Sequence, residues 1–104
     1  MDMEERVNKG VSIELKENVA EGTYANLAVI THSSSEFILD FVRMMPGVPK
    51  ASVQSRIILA PEHAKRLLMA LHDNIAKYES TYAPIRVDHT VRMPLNVENP
   101  VAQA

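Results

Sequence analysis

His32, the serine run 33–35 and Asp40 supply the residue types of a hydrolytic triad. In such a site a histidine takes the proton of a serine hydroxyl, and a carboxylate orients the histidine. The sequence lacks the G-x-S-x-G turn that presents a serine nucleophile between a strand and a helix. The serines instead favour a hairpin loop, where hydroxyl groups bond the local backbone. We therefore predict no catalytic residue and no enzymatic activity.

The four histidines do not have the spacing of metal ligands. His63 and His72 project to opposite flanks of the apolar stripe on a predicted helix, and PEHAKRLL is not an H-E-x-x-H motif. Because the chain has no cysteine, thiolate metal sites, disulfides and thiol catalysis are excluded. With only three glycines there is no phosphate-binding loop. The sequence predicts no metal site and no cofactor.

Asp40 is the most informative single residue, because it lies in the middle of a predicted strand between Leu39 and Phe41. A carboxylate buried there without a partner would be very costly. Arg56 on the next predicted strand is the natural partner, which favours a structural ion pair. The alternative is that Asp40 and Arg56 bind a small ligand, and the sequence leaves that alternative open.

Length and composition predict one small soluble domain. The chain has 104 residues, 46% of them hydrophobic and 23% charged, with a formal net charge of −2. That charge provides no field that attracts nucleic acid or an anionic membrane. The charged N-terminus has no apolar region typical of a signal peptide, and no apolar run reaches the ~20 residues of a membrane helix. We expect a cytoplasmic protein.

Alternating apolar residues predict four strands. They run from about Val11 to Leu15, from about Thr23 to His32, from about Glu36 to Met44 and from about Val53 to Ala60. Short turns between them favour an antiparallel meander. The segment 45–52 contains two prolines and a glycine, so it must lie outside a regular central strand.

The strands are followed by one long predicted helix. Pro61 has the fixed φ that suits the first helical position, and Glu62 complements the helix dipole. The helix is predicted to end at about Ser80. Its apolar residues fall in one stripe, namely Ala64, Leu67, Leu68, Leu71, Ile75 and Tyr78.

The predicted fold is therefore α+β, with a four-stranded antiparallel meander followed by one long helix (ββββα). We expect a flexible N-terminus over 1–9, one domain over 10–80 and an extended C-terminal tail over 81–104. Apolar residues in the tail fall on odd positions, which favours an extended segment that docks elsewhere, although chance alternation in a flexible tail explains them equally well.

Both faces of this sheet would be apolar, whereas one helix can cover only one. Continuous alternation would place these residues together on the uncovered face: Tyr24, Ile30, Ile38, Val42, Met44 and Ile58. Soluble monomers rarely expose apolar patches beyond a few hundred Å². Either the tail covers this candidate interface or, as we favour, the chain forms a homodimer or higher oligomer.

Two phrases resemble a known family. S-x-E-F-x-L-D-F (34–41) and S-R-I-I-L-x-P-E-H-A-K-R-L-L (55–68) are similar to a family of small bacterial proteins, many from Bacteroides-like organisms, catalogued as a domain of unknown function. The resemblance extends over about 24–85 and implies no activity and no catalytic residue.

The order of four strands and a helix also resembles the secretion chaperone SecB and the PUR and whirly single-strand nucleic-acid binders. The first resemblance implies an oligomer that holds unfolded protein clients, and the second a nucleic-acid-binding dimer. The chain lacks the second long helix of SecB, and the basic sheet and aromatic platforms of the nucleic-acid binders. We therefore favour a non-enzymatic protein-interaction or chaperone-like module, with a nucleic-acid-binding dimer and a small-ligand-binding protein as alternatives.

Overall fold

The computed structural model of the chain describes residues 10–88. A short helix α1 (Glu17–Ala20) is followed by strands β1 (Leu27–His32), β2 (Phe37–Arg43) and β3 (Ser52–Leu59), and then by helix α2 (Pro61–Thr81). The three strands form one antiparallel sheet in the order β1-β2-β3. The α+β class, the antiparallel sheet and the long helix are confirmed, but the sheet has three strands instead of four.

The strand predicted from Val11 to Leu15 is wrong. Residues 11–16 have no regular structure, and the side chains of Val11, Ile13 and Leu15 are all exposed. Their alternation shows which residues would share a face, but a strand forms only where a neighbouring strand supplies backbone hydrogen bonds. Here the chain turns instead into α1, whose Ala20 N–H donates to the Lys16 carbonyl at 2.9 Å.

The β1–β2 hairpin forms around the serine run. The Ser33 N–H donates to the Glu36 carbonyl at 3.0 Å, and the Ser35 N–H donates to the Ser33 hydroxyl oxygen at 3.1 Å. The serines thus bond the local backbone, as the sequence predicts. This loop sets His32 directly opposite Phe37 and thereby fixes the register of β1 on β2.

The β2–β3 connection contains the expected structure-breaking residues. The Val48 N–H donates to the Met45 carbonyl at 3.2 Å across Pro46 and Gly47. Gly47 has a φ of 80°, which a glycine adopts at no steric cost and which type II turns require at this position after a proline. Pro46 and Gly47 therefore form a tight turn that separates the two strands.

The β2–β3 pair contains one irregularity. Phe41 lies opposite Ser55, whereas Val42 lies opposite Val53, so Gln54 is an extra residue in β3. Such a bulge turns the following side chains to the other face of the sheet. The sequence pattern places Val53 on the same face as Ile57 and Leu59, and the bulge makes that assignment wrong.

Helix α2 begins as predicted and ends one residue later than expected. Pro61 occupies the first turn, and the Ala64 N–H donates to the Ala60 carbonyl at 3.0 Å. Glu62 and Arg66 form an exposed i,i+4 ion pair on the polar side. None of the residues of α2 is buried, so its apolar stripe is open.

The centre of the sheet is the only buried part of the described chain. Ile38, Leu39 and Val42 on β2 are each 6% exposed, and Asp40 between them is 5% exposed. These residues lie on the middle strand, where neighbouring strands shield both edges. The core therefore consists of one strand, and Asp40 is its only buried charged residue among residues 10–88.

The proposed flexible N-terminus, 1–9, and most of the proposed tail, from 89 onward, lie outside the described residues. Within 10–88 the domain limits stay a prediction, although α2 ends close to the expected boundary at residue 80. Across this same stretch, no helix has the length and apolar character needed to cross a membrane.

Candidate functional site

Cross-strand pairing divides the sheet side chains between two faces, because directly opposed residues in antiparallel strands point to the same side. One face, here called the Asp40 face, is built of three rows across the strands: Leu27–Val42–Val53, Val29–Asp40–Arg56 and Thr31–Ile38–Ile58. The other, here called the Leu39 face, is built of Ala28–Phe41–Ser55, Ile30–Leu39–Ile57 and His32–Phe37–Leu59. Both faces are predominantly apolar.

Asp40 and Arg56 form a partly buried polar contact on the Asp40 face. The Arg56 Nε–H donates to Asp40 Oδ1 at 2.7 Å, and the Arg56 Nη2–H donates to Asp40 Oδ2 at 2.8 Å. The arrangement is bidentate, which is the geometry that a planar guanidinium gives with a carboxylate. The partner predicted from the sequence is therefore the partner found.

This contact shifts the ionisation of both groups. The two hydrogen bonds from Arg56 lower the pKa of the Asp40 carboxyl, and the positive charge of Arg56 lowers it further, while burial opposes both effects. The same hydrogen bonds raise the pKa of the Arg56 guanidinium. The side chain of Asp40 is 7% exposed and that of Arg56 is 34% exposed, so solvent reaches the pair from the arginine side. Both groups stay charged around neutral pH.

The same contact bears on the ligand-binding alternative. Both carboxylate oxygens of Asp40 already accept hydrogen bonds from Arg56. A ligand that needed Asp40 would have to reach a side chain that is only 7% exposed, and displacing the bidentate contact there would be costly. The geometry favours a structural role for the pair, and a ligand-binding role for Asp40 and Arg56 stays a prediction.

The residues that resemble a hydrolytic triad lie apart. His32 is on the Leu39 face, where its ring stacks on Phe37 at a centroid distance of 5.3 Å. Asp40 points to the opposite face of the sheet. The Ser33 hydroxyl accepts a hydrogen bond from the Ser35 backbone inside the hairpin loop. A proton relay through these three groups has no geometric basis here.

His63 and His72 both lie on α2. Within residues 10–88, no group of three or more histidine, aspartate and glutamate side chains is arranged to hold a metal ion. His89 falls outside this stretch.

The candidate interface residues do not share one face. Ile38, Val42 and Ile58 lie on the Asp40 face, whereas Ile30 lies on the Leu39 face. Tyr24 and Met44 lie outside the strands. The predicted grouping on one face is therefore wrong, and Ile38 and Val42 are moreover buried. The hairpin pairs odd-numbered residues of β1 with even-numbered residues of β2, which a pattern continued across the loop does not anticipate. Their role in an interface stays a prediction.

Asn26 is a positioning residue that the sequence pattern missed. Its side-chain amide donates to the Met44 carbonyl at 3.0 Å, and its side-chain oxygen accepts from the Met44 N–H at 2.9 Å. The amide thus imitates one more peptide pair beyond the end of the β1–β2 ladder, where the Asn26 N–H already donates to Val42. An asparagine directly before an apolar strand was the available signal.

Thr31 has an unusual environment on the Asp40 face. Its hydroxyl oxygen is buried and has no hydrogen-bond partner within the described part of the chain. Thr31 lies opposite Ile38, which is followed across the sheet by Ile58. Its cross-strand neighbours are therefore apolar, and the unpaired hydroxyl costs stability.

Comparison with known proteins identifies a family. A family model described as "Protein of unknown function (DUF3467)" matches residues 1–87. The resemblance to a domain of unknown function is thereby confirmed. No curated protein and no solved structure matches the chain.

Proposed function

The chain belongs to the DUF3467 family of proteins of unknown function, and we propose that it is a self-associating, non-enzymatic protein-interaction module of a chaperone-like kind. The observation that carries this proposal is the amount of apolar side chain left open on the helix and on both faces of the sheet. The bacterial origin and the SecB-like character implied by the sequence resemblance, and the cytoplasmic location expected from the sequence, are part of the same proposal.

The helix provides the first open surface. Leu68 is 60% exposed and Leu71 54% exposed, although both lie in the apolar stripe of α2. In a small α+β domain such a stripe normally packs on the sheet, because burial of a leucine is worth about 2 kcal/mol. An apolar stripe left open over a helix of this length favours its burial against another protein chain.

The sheet provides two more open surfaces. On the Leu39 face, Ile30 and Ile57 flank buried Leu39 at the two edges of the sheet and are both exposed. On the Asp40 face, Val53 and Ile58 are exposed along the edge strand β3. A monomer with three such surfaces would be prone to aggregate, whereas burial between copies would stabilise it.

Reversible binding of unfolded chains uses the same kind of surface. Exposed isoleucine, valine and leucine side chains contact apolar client segments without needing a defined sequence, since the hydrophobic effect is not directional. No feature of the described site calls for catalysis. The basic side chains of the sheet are few, and Arg56 is already paired with Asp40, so the geometry favours protein over nucleic acid as the partner.

Light scattering on the full chain tests self-association first. We expect a defined homo-oligomer at micromolar concentration, and a monodisperse monomer would overturn this part of the proposal. A truncation after Pro84 separates the roles of the sheet and the tail: an unchanged oligomer supports an interface within 10–84, whereas a monomeric full chain with an aggregating truncation means that the tail covers the apolar surface.

An aggregation assay tests the client-binding part. The full chain should suppress aggregation of a chemically unfolded, unrelated protein, and Ile57→Lys should weaken that suppression if clients bind the Leu39 face. Ile58→Lys is the matched control, because it places the same charge in the same strand on the opposite face. Lack of suppression by the wild-type chain, together with salt-sensitive binding of single-stranded DNA, would favour the nucleic-acid alternative instead.

A further inference from the structure

The apolar residues of α2 follow the repeat of a coiled coil. Five of them, together with Tyr82 at the C-terminal cap, recur at spacings of four, three, four, three and four residues, and we call them the α2 seam: Ala64, Leu68, Leu71, Ile75, Tyr78 and Tyr82. Alternation of three and four is the heptad pattern that keeps one seam facing a partner helix.

The seam is continuous and open in the single chain. Helical hydrogen bonding continues to its last residue, because the Tyr82 N–H donates to the Tyr78 carbonyl at 2.9 Å. The rings of Tyr78 and Tyr82 lie against each other, with centroids 4.9 Å apart. Tyr82 is 73% exposed, and the larger seam residues before it are exposed as well. The seam therefore has the length of about three heptads and no covering element in the described chain.

Charges beside the seam indicate the direction of the partner helix. Lys65, His72 and Glu79 recur every seven residues along one flank, with opposite charges at equal distances from His72. In an antiparallel pair of identical helices this flank faces the same flank of the other copy. Lys65 then lies beside Glu79 of the second copy at both ends, and the opposite charges attract.

A parallel pair would not use these charges. There, each flank faces the other flank of the second helix, which carries Leu67, Asn74 and Thr81 and no charge at these positions. Glu79 already accepts the Ile85 N–H through Oε2 at 2.8 Å, which leaves its second carboxylate oxygen for a lysine. The charge pattern is thus complementary in the antiparallel arrangement alone.

The sizes of the seam residues fit the same arrangement. In the antiparallel pair, the centre of the contact lies between Leu71 and Ile75. Leu71 of one copy then faces Ile75 of the other, and Leu68 faces Tyr78 in the same way. Ala64, the smallest seam residue, faces Tyr82, one of the two largest. Large residues opposite small ones let layers interdigitate without voids.

We propose that α2 pairs in antiparallel orientation with α2 of a second copy of this chain, through the α2 seam and two Lys65–Glu79 ion pairs between copies. The inference rests on the proposed self-association and deepens it by naming the surface and its orientation. A coiled-coil pair of this kind leaves both sheet faces available to other partners. The competing occupant of the seam, a sheet face of the second copy, is an outcome of the test below.

The absence of cysteine in the sequence makes a cross-linking test direct. His72→Cys places a thiol close to the local two-fold axis, so a short bis-maleimide should join two copies in high yield. Lys65→Cys and Glu79→Cys are the matched controls on the same flank. In the antiparallel pair Lys65 lies about 24 Å and Glu79 about 18 Å along the axis from its own counterpart, at 1.5 Å per residue. Neither should cross-link alone, whereas a mixture of the two should.

The outcomes separate the orientations and the two proposals. Equally efficient cross-linking of all three single-cysteine variants would indicate parallel helices and overturn the proposal. A defined oligomer by light scattering with no cross-link at His72→Cys would indicate that the seam meets another surface, which overturns the helix pairing and leaves self-association standing. A monomer by light scattering would overturn both.

Charge reversal gives an independent test that does not depend on a cross-linker. Lys65→Glu should weaken self-association by about five- to tenfold, because it replaces two attractive contacts with two repulsive ones. The double change Lys65→Glu with Glu79→Lys should restore it, since the pairs re-form with reversed polarity. No loss with the single change, or no recovery with the double change, would contradict the proposed ion pairs.

Discussion

The Arg56 guanidinium holds both carboxylate oxygens of Asp40, at 2.7 and 2.8 Å, in the middle of a predominantly apolar sheet face. Asp40 is nearly buried on the central strand and Arg56 is partly exposed on an edge strand. The pair therefore satisfies a charge that the core could not otherwise contain, and it ties β2 to β3 at a defined register.

Asp40→Asn should lower the free energy of unfolding by about 1–2 kcal/mol. The substitution keeps the size of the side chain but removes the charge that accepts two hydrogen bonds, and the exposure of Arg56 limits the loss. Chemical denaturation at neutral pH measures it. Glu62→Gln is the control, because it breaks an ion pair whose two side chains are both exposed and should change stability by less than about 0.5 kcal/mol.

The pair should also make stability depend on acid pH. Because Arg56 lowers the pKa of folded Asp40 below its ordinary value of 3.8, the unfolded chain binds the proton more readily than the folded chain. The contribution of Asp40 is therefore fully present above that value and is lost as pH falls through the lower pKa of the folded state. The free energy of unfolding of wild type and of Asp40→Asn, measured by denaturation, should differ less at roughly pH 3 than at neutral pH. A constant difference would contradict the shift.

Asn26→Ala should lower the free energy of unfolding by about 1 kcal/mol. The backbone N–H and carbonyl of Met44 lose the two hydrogen bonds that the Asn26 side chain makes at an exposed strand end. Asn26→Asp should have an intermediate effect, since the carboxylate can still accept from the Met44 N–H but has no proton to donate to its carbonyl. Thermal unfolding of wild type, Asn26→Asp and Asn26→Ala should show stability falling in that order. If the alanine and aspartate variants matched wild type, the contact would contribute nothing measurable.

Thr31→Val should raise the free energy of unfolding by about 1 kcal/mol. The change replaces a buried hydroxyl that has no partner in the described chain with a methyl group of similar size. Thr31→Ser is the informative control, because it keeps the hydroxyl and removes the methyl group, and it should destabilise the protein. A loss of stability in the valine variant would mean that the hydroxyl is satisfied by a group outside residues 10–88.

Several features of this protein follow from the sequence alone. Pro61 and the apolar spacing after it determine where α2 begins and which side is apolar, because both depend only on local geometry. The serine run and the Pro46–Gly47 turn determine where the hairpin and the strand break occur. The need to neutralise a charge in an apolar strand was enough to pair Asp40 with Arg56.

Tertiary structure decided which residues share a face and whether a strand forms at all. The hairpin loop places Thr31 opposite Ile38, so Ile30 and Ile38 point to opposite sides although both read as one alternating set. The Gln54 bulge likewise turns Val53 to the face opposite that of Ile57, although the sequence pattern groups them. A shift of one residue in pairing exchanges every side chain between faces, and no local pattern records that shift. Val11 to Leu15 alternate like a strand but remain unpaired among residues 10–88, because a strand depends on hydrogen bonds from a neighbour distant in sequence.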